Sequence, residues 1–316
     1  MLLVIGGLSL ELYPEFGSQQ FEAERQLAEA TFEERWSIGE SEELTFPVSV
    51  KEYGGEVYVN DMPSYVVRRF STEGEYLNSV GEGRGAGPGE FQTVFDYTVR
   101  NEHIFIVDVN GSRISQFTLD GEFINSFSTD VRPFRATTIG QTLFVFSMFG
   151  EQPFRAFLDN GEEKGSFGEE VGDKAPEAWI DGNIAQDGQG RIIYAPTYAG
   201  KIYSYDPEGQ LLDVLPTIDD FDFISGDSVD GGFGAPTSWE VRTRDVNVVD
   251  DHLLVMVHKR TDDGVSSLLD RYTWPDGEYI DSVDLPRHFE RAHPGKTHFY
   301  GITEDDGVLQ AYDLQW

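Results

Sequence analysis

The chain has 316 residues, no cysteine, and 57 acidic against 23 basic residues, for a formal charge of −34. Disulfides, zinc-thiolate centres and thiol nucleophiles are thereby excluded, and nucleic acid is disfavoured as a partner because phosphate binding depends on clustered Lys and Arg. At 39% hydrophobic and 13% aromatic residues the chain can build a folded core, as two domains or as one large all-β domain.

From the N-terminus, Leu2 to Leu10 (LLVIGGLSL) resembles the apolar part of an export signal but lacks a basic start and a small-residue cleavage site. Gln19 to Arg35 is rich in helix formers, with Phe21, Leu27 and Phe32 among charged residues, and predicts a short surface helix. Residues 1–34 are thus read as a leader and 35–316 as the main domain. No apolar run of 18 residues is present to span a membrane.

From Trp36 onward, apolar and polar residues alternate in short runs separated by Gly, Asp, Asn and Pro, the pattern of many antiparallel strands. The runs repeat. Residues 57–80 align without gaps on 104–127, so that Asp61 falls on Asp108, Phe70 on Phe117 and Gly74 on Gly121. Weaker copies occupy 143–167, 192–214 and 253–283, and a sixth begins at Phe299 and stops at Trp316 before its last strand. Each unit reads as four strands. Glu73-Gly74, Asp120-Gly121, Asn160-Gly161, Glu208-Gly209 and Asp276-Gly277 read as two-residue hairpin turns. Six units of this length predict an all-β, six-bladed β-propeller. Arg35 to Gly39 looks like an outermost strand with no blade before it, and predicts that the N-terminal segment completes the last blade.

Gly81 to Phe91, GEGRGAGPGEF, falls between the first two units. A dinucleotide loop must open a helix whose amides hold the phosphates, and here a strand follows, so the segment reads as a connector. Val107 to Ile114 with Asp120-Gly121-Glu122-Phe123 resembles an NHL repeat, and residues 83–91 are similar to the connector between such repeats. The resemblance implies a six-bladed propeller of the bacterial, often exported kind, usually with a binding role and with no catalytic set to carry over.

In a propeller the connectors between blades surround one mouth of the central channel. They are predicted at 81–92, 128–132, 168–180, 215–240 and 284–296. The 215–240 segment is the longest, and a loop of that length usually has a purpose. Its Phe221, Phe223, Phe233 and Trp239 are candidates to cover the channel, and Asp219, Asp220, Asp222, Asp227 and Asp230 to hold a divalent cation such as calcium. Arg84, Arg113 and Arg242 are candidates to pair with a carboxylate ligand, and Trp179, Tyr198 and Trp239 to stack on a sugar or aromatic ring; His258 joins this binding set. Against each stands a structural role, as an ion-pair partner or a wedge between blades. His288, His293 and His298 lack helical metal-ligand spacing, and no G-x-S-x-G marks a nucleophile.

The expectation is a periplasmic, cell-surface or secreted monomer that binds a protein, peptide or glycan. The alternatives are a metal-dependent hydrolase, lyase or lactonase at the channel, and a purely structural scaffold. Only six of the basic residues are lysine, and the acidic ones are spread along the chain. Such a surface suits salty surroundings, where screening removes self-repulsion. The melting temperature should therefore rise from low to molar NaCl; equal melting in both would contradict a salt-adapted surface.

Overall fold

The computed structural model describes residues 24–41, 43–174, 179–229, 232–262 and 264–316. Strand β1 (Thr31–Ile38) comes first among the described residues and last in the ring. Blade one is β2 (Pro47–Tyr53), β3 (Glu56–Asp61), β4 (Val66–Ser71) and β5 (Tyr76–Val80). Blade two is β6 (Val94–Arg100), β7 (His103–Asp108), β8 (Arg113–Thr118) and β9 (Phe123–Ser128). Blade three is β10 (Arg135–Ile139), β11 (Thr142–Phe146), β12 (Phe154–Phe157) and β13 (Glu163–Phe167). Blade four is β14 (Gly182–Gln186), β15 (Ile192–Pro196), β16 (Lys201–Tyr205) and β17 (Leu211–Pro216).

A small hairpin, β18 (Asp227–Val229) with β19 (Gly232–Gly234), decorates the following connector. Blade five is β20 (Val241–Val249), β21 (His252–Thr261), β22 (Gly264–Thr273) and β23 (Tyr279–Asp284). Blade six has β24 (Phe289–Pro294), β25 (His298–Thr303) and β26 (Leu309–Gln315), and β1 supplies its outermost strand. The six sheets are antiparallel and four-stranded, as the repeats predict. The connector expected at 284–296 is shorter, because Phe289–Pro294 forms the innermost strand of blade six.

Ring closure depends on β1. It pairs with β26 from Thr31↔Gln315 to Ile38↔Leu309. Trp36 then packs with Tyr300, Ile302 and Leu309 of blade six and Val50, Val57 and Phe70 of blade one, and its indole N–H donates to Thr72 O at 2.8 Å. Gly74 lies under that ring: a Cβ there would sit 2.8 Å from Trp36 Cδ2, and its φ is +85°. Only glycine meets both demands. The turn holding it is a three-residue loop rather than the expected two-residue one, with Ser71 N–H donating to Glu75 O (2.8 Å) and Gly74 N–H to Ser71 O (3.0 Å). The added residue appears as a bulge between Arg69 and Phe70.

The predicted helix over 19–35 is not formed in its described part. Residues 24–30 carry no helix, with Leu27 in an isolated parallel bridge to Ser282, and 31–38 are strand. Tertiary demand overrides helix propensity here, since β26 would otherwise present a bare sheet edge. Ser282 N–H donates to Gln26 O (2.9 Å) and Ala28 N–H to Ser282 O (2.8 Å), which fastens the segment to blade five. Arg25 goes deeper. Its guanidinium grips Asp270 at Nε–Oδ1 and Nη2–Oδ2, both 2.9 Å, and Asp219 at Nη1–Oδ1, 2.9 Å. Asp270 is fully buried, and burial raises its carboxyl while Arg25 and Ser282 pull it down.

Removing Arg25 leaves two carboxylates without their cation, so Arg25→Leu should lose about 3–5 kcal/mol at pH 8. Because burial holds the Asp270 carboxyl above its unfolded value, and the loss of Arg25 removes a group that pulls it down, the loss should shrink as pH falls toward 5. Urea unfolding at both pH values measures this, and a loss below about 1 kcal/mol at pH 8 would contradict a structural role for the triad.

Candidate functional site: the channel mouth

The innermost strands build the site. Blades one, two, five and six each carry a bulge at the same place in that strand, between Pro47 and Ser49, Val94 and Asp96, Thr243 and Asp245, and Phe289 and Arg291. A bulge re-aims the side chains that follow it. The residue at the matching register in each blade then lines the channel: Ser49, Asp96, Arg135, Asn183, Asp245 and Arg291. Because the blades follow one another around the ring, Ser49 faces Asn183, Asp96 faces Asp245 and Arg135 faces Arg291. A second ring lies two residues further along, with Lys51, Thr98, Thr137, Ala185, Asn247 and His293.

The upper ring floors a cavity of about 450 Å³ that opens between the connectors. The lower ring encloses about 270 Å³, and Lys51, Ile184 and Asp245 border both spaces. Apolar side chains collect on one side of the mouth. Phe46 (51% exposed), Met62 and Phe95 line it. Phe134 packs edge-on against Phe95 at 5.4 Å between ring centroids, and Phe149 against Phe134 at 6.0 Å. Glu290, Arg291 and Glu304 stand on the blade-six side.

The charges are stitched from blade to blade. Lys51 Nζ donates to Asp96 Oδ1 at 2.7 Å and to Tyr97 O at 2.6 Å, while Asp96 Oδ2 accepts the Ala136 amide at 3.0 Å. Arg244 pairs with Glu290, and Arg291 Nη1 donates to Arg244 O at 2.7 Å. Arg135 lies over the Phe95 ring, 4.5 Å from its centroid, with Asp181 3.8 Å away. Burial lifts the Asp245 carboxyl to about 6 against the pull of Arg291, Lys51 and Arg135. Burial and the like charge of Arg135 lower the Arg291 guanidinium to about 10.

Above the ring, His258, His288 and Glu304 bring one ligand atom each to within 4.8 Å of the others, and among the described residues they are the group that could hold a metal ion. His258 Nε2 lies 2.7 Å from Phe289 O and Nδ1 lies 3.1 Å from Arg242 Nη2. Its imidazole is held near pKa 2 by burial, with Arg244, His288 and Arg242 adding repulsion, so it is neutral. His288 meets Ser267 Oγ at 2.7 Å through Nδ1 and pairs with Glu304 through Nε2. A cation at this cluster has to displace the Arg242 guanidinium from His258.

A family model for six-bladed β-propeller proteins, DUF5128, matches residues 40–214, more than half of the chain. The chain belongs to this family. Several solved structures are similar to the DUF5128 propeller. One is a member of the DUF4221 family from Bacteroides vulgatus ATCC 8482, 13% identical with a TM-score of 0.67, covering 92% of this chain and 99% of that one. Another is a presumed exported protein from Bacteroides fragilis NCTC 9343, 12% identical with a TM-score of 0.61, covering 91% and 94%. A third is virginiamycin B lyase from Staphylococcus aureus, 10% identical with a TM-score of 0.53, covering 91% and 100%. At such identities the likeness shows the fold alone. No curated protein matches the sequence.

The residues singled out from the sequence fall mostly elsewhere in the DUF5128 propeller. Arg113 is occupied by its own connector, through Glu90 O and by Asp108 Oδ2 at 3.3 Å. Arg84 lies over Tyr65 at the edge of a separate surface hollow. Trp239 is held between Arg242 and Arg260, each 4.3 Å from its ring, so both are stacking partners already. Tyr198 is buried, and Trp179 packs against the core between blades three and four. Phe221 is buried between blades four and five and Phe223 packs beside Tyr203, so neither covers the mouth. The Phe233 side chain and Asp230 lie outside the described part.

The remaining aspartates of the 215–240 connector do not converge. Asp219 pairs with Arg25, Asp220 with Lys201 and Asp227 with Thr237, and Asp222 is exposed. None of that connector's described residues lines the mouth cavity. Of the expected set, Arg242 and His258 stand beside it. Sequence reasoning missed the two rings, although a polar residue flanked by apolar ones recurs near the start of the first three units, as Val48-Ser49-Val50, Phe95-Asp96-Tyr97 and Phe134-Arg135-Ala136.

Asp245 gives a sign-defined test. Its folded pKa stands above the unfolded value, so ionised Asp245 costs stability above pH 6, and that cost vanishes on acidification toward the unfolded pKa near 4. Asp245→Asn should raise the melting temperature at pH 8 and leave it close to wild type at pH 4. A variant equally destabilised at both pH values would contradict this reading.

Proposed function

We propose that this DUF5128 propeller is an exported binding module that holds a peptide, glycan or protein ligand without covalent chemistry at the channel mouth. The supporting observation is the cavity itself, which has a ligand's size, an apolar arc for burial and a few convergent polar groups for orientation. Export draws on the apolar Leu2 to Leu10 segment, and the repeat units are taken to be of NHL type from residues 107–123. Among the described residues no helix is long and apolar enough to cross a membrane.

One observation favours a second reading, a lyase or hydrolase using a divalent cation. His258, His288 and Glu304 form a ligand set, Glu304 also lines the cavity, and a similar propeller is a lyase. Against it, Arg242 stands where the cation would bind. In that reading the ion would supply Lewis-acid polarisation.

Thermal unfolding in molar NaCl with short peptides and oligosaccharides, on chelator-treated protein, tests both. A ligand that binds the folded ring raises its melting temperature saturably. Phe46→Ala and Met62→Ala, both at exposed positions, should each weaken that ligand about tenfold. Binding indifferent to both substitutions would contradict the mouth as the site. Turnover restored by zinc, magnesium or calcium and lost in His288→Ala would replace the binding reading with the enzymatic one.

A further inference from the structure

We infer that the upper ring is an anion clamp, with Arg135 and Arg291 receiving the carboxylate of a ligand whose apolar or aromatic body lies against Phe46, Met62 and Phe95. The inference rests on the channel-mouth reading and gives its ligand a chemical class.

Four observations carry it. First, the net charge of −34 means that carboxylate partners are plentiful, yet among the described residues none lies within 4.0 Å of the Arg291 guanidinium, while Arg25, Arg68, Arg69, Arg100, Arg113, Arg244 and Arg271 all have one. Arg291 is instead aimed into the cavity by the bulge at Phe289–Arg291 and steadied through one bond to Arg244 O. Second, Arg135 faces it from the opposite blade. Its carboxylate neighbour Asp181 stands at 3.8 Å, beyond a hydrogen bond, and Phe95 supports its flat side.

Third, Asp245 and Asp181 act on the two cations only through space, without a hydrogen bond to either, and three further carboxylates of the mouth are otherwise engaged. Asp96 is held by Lys51 and the Ala136 amide, Glu290 by Arg244 and Glu304 by His288. Fourth, Asn183, only 8% exposed, leaves its Nδ2 without a protein partner between the arginines' blades. Two guanidiniums and an amide on one cavity lining are the donors a carboxylate takes, whose two oxygens accept up to four hydrogen bonds. The ring's remaining charges would repel a second anion, and the apolar arc would leave a bare inorganic anion without its larger contact. A small organic acid and the C-terminus of a peptide share this chemistry.

The test uses matched pairs that differ only in the carboxylate: hippurate against hippuramide, and Ala-Ala-Phe with a free C-terminus against its C-terminal amide. Binding is read by isothermal titration in molar NaCl. The expected result is binding of one or both acids, at least about tenfold tighter than the matching amide. Arg291→Gln should weaken the acid by about tenfold or more, and Asp245→Asn should tighten it by roughly threefold by removing a repelling charge. Preference for hippurate or for the tripeptide separates a small acid from a peptide terminus. Equal binding of acid and amide would overturn the clamp while leaving the mouth as a binding site. Binding of none of the four would overturn the carboxylate class and count against the mouth reading, whereas acid binding unchanged in Arg291→Gln and Asp245→Asn would place the anion elsewhere.

Discussion

Closure of the ring by β1 against β26 is the constraint on which the rest depends. Six wedge-shaped sheets leave two exposed edges unless the ring is closed, and here β1 becomes the last strand of the last blade. Trp36 makes the closure more than a backbone pairing, because its indole spans the seam and bonds to the turn of blade one. The channel exists only in the closed ring. Arg135 and Arg291 stand on opposite blades; the inner strands from β6 to β24 touch in sequence around the axis, β24 returns to β2, and Lys51 joins β2 to β6.

Within that frame, the recurring bulge converts a structural repeat into a site. A regular innermost strand would alternate its side chains between neighbouring blades, and the extra residue shifts this alternation where the strand enters the channel. Four of the six positions are placed by a bulge, Arg135 and Asn183 take the matching register without one, and all six are free of the packing demands that keep Val57, Ile104 and Leu143 apolar. They carry serine, asparagine, two aspartates and two arginines, arranged so that like faces like across the axis. An empty ring carries a cost: burial raises the Asp245 carboxyl, and burial together with the like charge of Arg135 lowers the Arg291 guanidinium. Strain of this kind is commonly retained where a ligand relieves it.

The fold was legible in the sequence because its determinants are local and repeated. Turn glycines, apolar alternation and the gapless match of 57–80 on 104–127 each mark the blade, and Arg35 to Gly39 marks the closing strand. The site was less legible. Its residues are one per blade and some 40 to 60 positions apart, and their type varies where a packing position would keep it, so the repeat hides them. Long-range contacts decided the other departures. Gln19 to Arg35 has helix propensity, but Arg25 finds Asp219 and Asp270 across the fold and β26 supplies a pairing edge. The aromatics of the 215–240 connector looked available for a ligand, yet Phe221 is buried in the core and Trp239 lies between two guanidiniums. His258 and Arg242 were found as single residues, while their grouping with His288 and Glu304 needed the ring to bring blades five and six together.

The most direct measurement is the anomalous diffraction of crystals soaked in sodium bromide, which reports anion positions without assuming a ligand. The account predicts a bromide peak in the mouth cavity, in contact with the guanidiniums of Arg291 and Arg135 and absent from Arg291→Gln crystals. Bromide found only on the outer surface, with the channel mouth free of it, would contradict the claim that this ring is built to receive an anion.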